Sequence, residues 1–329
     1  MRWNNKVLST FIICALVAST SFAVSAKTTL KISHNQDRDH PIHKSMQYMA
    51  EKVNEYTDGE VRIRIYPNGQ LGTQRESMEL LQNGALSMAK SNASELESFE
   101  PSYGAFNIPY IFRDRDHYYR AMRSETGEKI LNASYDKGFI GLTYYDGGSR
   151  SFYANKTINT PADLKGMKIR VQPSPTAVEM IKLMGGSPTP LAFGELYTAL
   201  QQGVVDGAEN NPTALTNNRH GEVSKIYSQD EHTMIPDVLI ISTSAWNELS
   251  KTQQVALKKA AKESMMYHKD LWTKMTAEAE QIANETMGVK FVKVEKQPFI
   301  DAVKSMHDAA LNNPEIAEYV RGFDALATK

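Results

Sequence analysis

The stretch "SKTQQVALKKAAKESMMYHKDLWTKMTAEAEQIANETM" (250–287) contains neither glycine nor proline. Ser250 and Gln253 form an S-x-x-Q capping box at its start, and Gly288 is a natural stop, so the stretch predicts one helix. Such a helix is about 55 Å long, whereas a domain built from half of this chain is only about 30–35 Å across. Because apolar residues recur along the helix, we expect it to lie across two domains instead of projecting into solvent.

The segments before this helix alternate between strand and helix patterns. In "TLKISH" (29–34) and "EVRIRIYP" (60–67), apolar and polar residues alternate, as in strands with one buried face. The apolar residues of 42–57 recur at helical spacing, and further strands are predicted at 86–92 and 237–246. This order predicts parallel pairing and layered α/β domains.

The length and composition of the chain favour two globular domains. It has 329 residues, of which 41% are apolar, and a net charge of −1. The near-neutral charge argues against a nucleic-acid partner. The predicted fold is therefore α/β, with two domains joined by crossing strands and the long helix around a cleft. We assign 27–147 with 236–275 to domain I, and 148–235 with 276–329 to domain II.

The first 26 residues have the pattern of a signal peptide. Arg2 and Lys6 precede an apolar run at 7–18, and Val24-Ser25-Ala26 is a plausible cleavage site. Cys14 lies within this segment and is the single cysteine of the chain, so we expect no disulfide after cleavage. With no other run of 18 apolar residues, the sequence predicts a soluble protein exported to a Gram-negative periplasm.

Familiar catalytic and cofactor motifs are missing from the sequence. It has no G-x-x-x-x-G-K-[ST], no strand-linked G-x-G-x-x-G, no H-E-x-x-H and no G-x-S-x-G. His40 and His43 are three residues apart, but they stand at a predicted helix start after Asp37 and Asp39, which favours a polar cap over a metal site. We expect no cofactor and no metal, although a hydrolase or isomerase is not excluded by the residues alone.

Polar side chains instead collect at the ends of predicted strands. In "LKGMKIRVQPSP" (164–175), Arg170 and Gln172 point the same way from one strand. Ligands of open α/β sheets bind outside the carboxyl ends of the strands. An arginine fork holds a carboxylate, and amides pair with hydroxyls, so this pattern predicts a small, anionic, hydroxyl-rich ligand. The other residues at such ends are Arg150, Asn210, Asn211, His34, Asn35, Lys90 and Asn92.

Three stretches carry a resemblance to a known family: "YPNGQLG" (66–72), "NTPADLKGMKIRVQ" (159–172) and "GGSPTPLAFGELYTALQQGVVDGAEN" (185–210). With the long helix, they resemble the periplasmic substrate-binding proteins of tripartite ATP-independent periplasmic (TRAP) transporters of the DctP type, over essentially all of the chain after residue 26. The resemblance implies a monomeric binding protein and not an enzyme. It would close its two domains on an organic acid and deliver it to the small and large membrane subunits.

The resemblance also implies residue roles. The arginine of "KIRVQ", here Arg170, makes the main salt bridge to the substrate carboxylate, and Arg150 after "GGS" assists it. Asn210 also holds the carboxylate, and Phe193 packs on the ligand. The family positions that vary with the ligand lie in domain I and correspond here to His34, Asn35, Gln74, Lys90 and Asn92. The strand-end pattern adds two further candidates, Gln172 and Asn211.

Local departures from related patterns bear on the ligand. Sialic-acid binders tend to carry a glutamate where this chain has Asn92, and dicarboxylate binders tend to read "VDGQENP" where this chain has "VDGAENNP" with Asn211. "DEHTMIPDVL" (230–239) is similar to the hexuronate branch. We therefore rank a hexuronate such as D-glucuronate or D-galacturonate first, other sugar acids second and a C4-dicarboxylate third. An exported sugar-acid enzyme remains the rival class.

Overall fold

A computed structural model describes residues 27–327; the predicted signal peptide, 1–26, lies outside the described residues. The strands of residues 27–327 are β1 (Thr28–Ser33), β2 (Val61–Tyr66), β3 (Met88–Asn92), β4 (Phe139–Tyr145), β5 (Ser149–Ala154), β6 (Lys168–Val171), β7 (Ser187–Pro190), β8 (Gly207–Asn210), β9 (Ile226–Met234), β10 (Asp237–Ser242) and β11 (Lys290–Lys293). The α-helices of the same range are α1 (Pro41–Tyr56), α2 (Gln74–Gln82), α3 (Ala93–Leu96), α4 (Arg115–Met122), α5 (Glu125–Asn132), α6 (Pro175–Leu183), α7 (Leu196–Gln201), α8 (Thr213–Thr216), α9 (Thr243–Glu248), α10 (Lys251–Glu285), α11 (Gln297–Asn312) and α12 (Ala317–Asp324).

The first sheet has the order β2-β1-β3-β10-β4. Strand β1 runs parallel to both β2 and β3, as the strand–helix–strand pattern predicts. Strand β10 enters antiparallel between β3 and β4, with Asp237 opposite Asn92 and Tyr145. All six residues of β10 are buried, because neighbours cover both faces of the sheet.

The second sheet has the order β11-β9-β5-β8-β6-β7. Strand β6, which carries "KIRV", pairs in parallel with β7 and β8. Strand β5 runs antiparallel to β8 and β9, and its register with β9 shifts between Arg150 and Phe152. The carboxyl ends of β6 and β8 therefore reach the same edge, where Arg170 and Asn210 lie.

Two crossings join the sheets at nearly the same point. The chain passes from β4 to β5 through 146–148, and from β9 to β10 through 235–236. At Gly147, an added Cβ atom would lie 2.3 Å from the carbonyl oxygen of Ile235, so only glycine lets the two crossings run side by side. This confirms the two-domain α/β fold with crossing strands.

Helix α10 confirms the long helix of the sequence. It spans Lys251–Glu285, 35 residues, with Ser250 as its N-cap in a capping box with Gln253. At about 1.5 Å per residue it is about 52 Å long. It packs against α1 and β4 beside the first sheet and against α8 beside the second, so it lies across both domains.

The hydrophobic cores lie on both faces of each sheet. Tyr144 and Tyr145, consecutive in β4, enter opposite cores of the first sheet, as alternation along a strand requires. In the second sheet, Phe152 and Tyr153 do the same.

The C-terminal helices pack on different sheets. Phe299 of α11 lies in a core of the second sheet, but Phe323 of α12 lies in a core of the first, with its ring centroid 4.8 Å from that of Phe106. We assigned 276–329 to domain II, and α12 departs from that assignment. The sequence carries only an amphipathic pattern there, which does not say which sheet the helix covers.

Within residues 27–327, no helix combines the length and apolar character needed to cross a membrane.

Candidate ligand-binding site

A cleft between the two sheets gathers most of the predicted site residues. Its free volume is about 40 Å³, so its walls lie close together in this structure. Of the eleven candidates, ten line it: Asn35, Gln74, Lys90, Asn92, Arg150, Arg170, Gln172, Phe193, Asn210 and Asn211.

His34 is the candidate that the structure places outside the cleft lining. Its Nε2 shares a hydrogen bond of 2.9 Å with His43 Nδ1, and its Nδ1 accepts one from the backbone of Gln36. Burial, together with nearby Lys90, lowers the pKa of His34 to about 3, so its ring is neutral. Both ring nitrogens are occupied within the protein, so in this structure His34 offers neither to the cleft, and its role as a ligand contact stays a prediction.

Arg170 is a fully buried cation with an unused donor. It has no exposed surface, and its guanidinium packs 5.7 Å from the centroid of the Phe193 ring. Nε and Nη2 both donate to the carbonyl oxygen of Leu191, at 3.0 and 2.7 Å, while Nη1 has no partner among the described residues. Burial lowers the pKa of Arg170 below the usual arginine value, yet an arginine in a protein stays charged.

Arg150, at 4% exposure, is almost as buried but differs in its partners. Its Nε and Nη2 donate to the two carboxylate oxygens of Glu209, at 2.6 and 2.9 Å. Nη2 also donates to the Glu209 carbonyl, and Nη1 donates to Asn210 Oδ1 at 2.8 Å. The carboxylate neutralises Arg150 and fixes its fork, and Arg150 in turn orients the Asn210 amide.

A histidine and a second carboxylate extend this pair. His232 shares hydrogen bonds with Glu209 at 3.3 Å and with Asp230 at 2.7 Å. Burial alone would raise the pKa of Glu209, but Arg150 and His232 lower it to about 2. Burial opposes a charged His232, but Asp230 and Glu209 raise its pKa to about 9. The network thus holds two anions and two cations at neutral pH, with no net charge.

The wall from the first sheet is a lysine–carboxylate–amide network. Lys90 Nζ donates to Gln74 Oε1 at 2.8 Å and to Asp237 Oδ1 at 3.0 Å. Asn92 Nδ2 donates to the same Asp237 oxygen at 3.3 Å. Gln74 Nε2 donates to Glu95, whose pKa is raised by burial even though Arg170 and the bond from Gln74 oppose that rise.

The remaining candidates divide by how much of their hydrogen-bonding capacity the protein already uses. Asn211 donates to the Gly147 carbonyl and accepts from Thr213, so its amide mainly shapes the crossing. Gln172 lines the cleft two residues beyond Arg170 on the same face of the chain. Asn35 Oδ1 and Gln36 Oε1 are buried acceptors without a partner among the described residues, and both side chains line the cleft. They are suited to accept from ligand hydroxyls.

Several lining residues were not found by sequence reasoning: Gln36, His40, Thr213, Asn218, Asp237 and Trp272. Trp272 comes from α10, stacks near His268 and lies 3.0 Å from the position that a Cβ atom on Gly148 would take. Asp237 directly follows the second crossing, so its position marks it as a possible lining residue. It was missed because the stretch 237–246 has the pattern of a buried strand. His40 accepts from the backbone of Ile42, and the described residues contain no cluster suited to a metal ion.

Taken together, the described residues of the cleft lining offer one unneutralised cation and many amides. Of the cations that line it, Lys90 and Arg150 each have a carboxylate within 4 Å, while Arg170 has none among residues 27–327. An anionic group is therefore attracted to Arg170, where Nη1 is free to donate. The surrounding amide oxygens and nitrogens suit a ligand that bears several hydroxyl groups.

Comparison with known proteins gives consistent relatives. The family model of the DctP bacterial extracellular solute-binding proteins, family 7, matches residues 32–313. A C4-dicarboxylate-binding periplasmic protein DctP from Rhodobacter capsulatus is 30% identical over 316 residues, covering 92% of this chain and 94% of its own.

Two solved structures are similar in fold and sequence. A TRAP periplasmic solute-binding protein from Anaerococcus prevotii, with bound α/β-D-glucuronate, is 37% identical, has a TM-score of 0.89 and covers 91% of this chain and 98% of its own. One from Xanthobacter autotrophicus, with bound β-D-galacturonate, is 35% identical, has a TM-score of 0.87 and covers 90% and 99%.

Proposed function

Because the chain belongs to the bacterial extracellular solute-binding proteins of family 7, the DctP family of TRAP transporters, we propose that its cleft captures a hexuronate, D-glucuronate or D-galacturonate. It is a TRAP periplasmic solute-binding protein, and proteins of this kind bind small organic acids and work with the membrane subunits of a transporter. The choice of ligand and the contact residues are our proposal.

The observation that carries the proposal is the unused donor of Arg170. Within the described part of the chain the buried Arg170 guanidinium has a carbonyl oxygen as its hydrogen-bond partner and no other, so it gains a charge-assisted, two-point interaction when a carboxylate docks on it. Asn210, held by Arg150, lies in the same cleft and is proposed as a second donor to that carboxylate.

The rest of the lining supports a polyhydroxylated ligand. A hexuronate has one carboxylate and several ring hydroxyls, and the unpartnered Asn35 and Gln36 oxygens supply acceptors for them. The side chain of Phe193, beneath the Arg170 guanidinium, offers an apolar surface to the ring. We propose that Gln74, Lys90 and Asn92 are presented from the other sheet when the domains close on the ligand.

The proposal includes export and the absence of turnover. Cleavage after Ala26 should give a mature protein that begins near Lys27, which N-terminal sequencing of the periplasmic fraction would reveal. Incubation of the purified protein with D-glucuronate should return the sugar acid unchanged by NMR. A chemically altered product would favour the sugar-acid enzyme over a binding protein.

A ligand screen tests the central claim. We expect D-glucuronate or D-galacturonate to raise the melting temperature in a thermal-shift assay, since a ligand that binds only the folded state stabilises it. Succinate, malate, N-acetylneuraminate and D-gluconate serve as comparators, and calorimetric titration gives each Kd. Stabilisation by succinate or malate without an effect of either hexuronate would refute the hexuronate assignment and favour the dicarboxylate alternative.

A further inference from the structure

The carboxylate of Asp237 faces the cleft from the wall of the first sheet. Asp237 is the first residue of β10, and the strand register places it beside Asn92 of β3. Its side chain keeps 12% exposure and contributes to the cleft lining. It comes one residue after the second crossing between the domains, so it stands at the point where the two sheets meet.

The two oxygens of this carboxylate are used unequally. Lys90 Nζ and Asn92 Nδ2 both donate to Oδ1, at 3.0 and 3.3 Å. Oδ2 accepts from none of the described residues, and the Asp237 side chain keeps part of its surface exposed where it lines the cleft. Oδ2 is therefore reachable from the cleft as a charged hydrogen-bond acceptor.

The charge distribution separates the two walls of the cleft. On the first-sheet wall, Lys90 and Asp237 neutralise each other. On the second-sheet wall, Arg150 and Glu209 do the same, which leaves Arg170 as the lining cation without a carboxylate within 4 Å among residues 27–327. The cleft can thus neutralise one ligand carboxylate at Arg170. At the first-sheet wall Lys90 is already paired with Asp237, so no unpaired cation among the described lining residues is left for a second carboxylate.

We infer that Asp237 determines specificity by accepting a hydrogen bond from a ligand hydroxyl and by repelling a second carboxylate. The inference rests on the proposed function, in which the first carboxylate docks at Arg170. A hydroxyl donates to Oδ2, whereas a carboxylate has no proton to donate and meets a like charge. The site then selects polyhydroxy monocarboxylates and excludes both aldarates, which carry a carboxylate at each end, and C4-dicarboxylates.

The first experiment compares ligands on the wild-type protein. Calorimetric titration at pH 7 with D-glucuronate and D-glucarate contrasts one carboxylate with two on the same carbon skeleton. Because a like-charge contact at a buried site costs several kcal/mol, we expect D-glucarate to bind about 100-fold more weakly or worse. Affinities within about tenfold of each other would overturn the inference.

The second experiment removes the charge with Asp237→Asn. The amide oxygen can still accept from Lys90 and Asn92, but the anion is gone. We expect the affinity for D-glucuronate to fall about 10-fold or more, through loss of the charged acceptor, and the ratio of the D-glucarate Kd to the D-glucuronate Kd to shrink at least about tenfold. The cost of ordering an open chain instead of a ring is the same in both proteins, so it cancels, and the change in the ratio reports the altered charge of the Lys90–Asp237 pair.

Asp308→Asn is the matched control, because Asp308 lies exposed on α11 and does not line the cleft. It should leave both affinities unchanged.

A ratio that stays the same in Asp237→Asn, with D-glucuronate still bound, overturns the inference and leaves the proposed function intact. If the wild-type protein binds D-gluconate but no hexuronate and rejects D-glucarate, the proposed function fails while the selection for one carboxylate stands. Preferred binding of a dicarboxylate overturns both.

Discussion

Arg150 and Arg170 enter the same cleft from β5 and β6, the two strands that flank β8, and they have different partners. Both guanidinium groups are buried. Arg150 is paired with a carboxylate through two hydrogen bonds, whereas Arg170 has one neutral carbonyl and an unused Nη1. The two residues are therefore of the same type and similarly buried, and they differ in their neighbours. Arg150 is a structural cation, whereas Arg170 is available to a ligand anion.

The pKa directions express the same difference. Burial disfavours the charge on both arginines, but Glu209 outweighs burial at Arg150 and raises its pKa. At Arg170 burial prevails and the pKa is lowered. A ligand carboxylate would give Arg170 the neutralising anion that Glu209 already gives Arg150. Arg170 should therefore contribute mainly to the free energy of binding, and Arg150 mainly to the free energy of folding.

The largest effect should come from removing the carboxylate that neutralises Arg150. Glu209→Ala leaves Arg150 and His232 buried without that anion, so we expect the free energy of unfolding to fall by about 3–5 kcal/mol. Denaturation by urea, with and without D-glucuronate, measures the loss.

The surface pair Arg219–Glu222 is the matched control for this experiment. Its atoms are 2.7 Å apart, against 2.6 Å for Arg150–Glu209, but the Arg219 side chain is 70% exposed. Because exposed ion pairs add little, Glu222→Ala should have nearly wild-type stability. Equal losses in the two variants would show that Glu209 is no more than an ordinary ion-pair partner.

The next effect should be on affinity and not on folding. Arg170→Ala removes the cation that, among residues 27–327, lines the cleft without a carboxylate partner, so we expect binding of D-glucuronate to weaken by about 2–5 kcal/mol. The free energy of unfolding should fall less than in Glu209→Ala, because no carboxylate is left unpaired. Calorimetric titration and urea denaturation of the same preparation separate the two quantities.

Arg170→Lys separates the contribution of the charge from that of the planar fork. Lysine keeps the charge but lacks the planar fork, so its affinity should lie between those of the wild type and Arg170→Ala. Wild-type affinity in Arg170→Ala would mean that the ligand carboxylate docks elsewhere in the cleft.

The local elements and the overall architecture could be read from the sequence because they depend on periodicity and on chain breakers. The long helix was predictable from a run without Gly or Pro, and α10 begins and ends within two residues of it. Arg170 was recognised as a strand-end cation, and the structure buries it completely, with Phe193 packed against its guanidinium.

The partners of the two arginines were not predictable, because they depend on strand register. His232 reaches Glu209 across 23 residues of chain, and it does so beside the register shift between β5 and β9. No local pattern encodes that shift. Trp272 illustrates the same limit, since the pattern of α10 gives its length but not which of its faces meets the cleft.

The smallest effect should be a pH dependence confined to the network of Arg150. His232 has a pKa of about 9 in the folded protein against 6.5 when unfolded, so its contribution is complete below pH 6.5 and is lost as the pH rises towards 9. Glu209 has a folded pKa of about 2, so its contribution is complete above its unfolded value of 4.5 and is lost as the pH falls towards 2. The network should therefore stabilise the fold most between pH 4.5 and 6.5.

His232→Gln isolates the alkaline side of this dependence. The difference in the free energy of unfolding between wild type and variant should shrink by about 1–3 kcal/mol between pH 6 and pH 9. His34 and His220, which are neutral in the folded protein and titrate near pH 6.5 when unfolded, are present in both proteins, so their contributions cancel in the difference. A difference that stays constant over this range would mean that His232 is neutral beside Glu209. In that case Glu209 would balance Arg150 alone, and the contrast with Arg170 would rest on that single carboxylate.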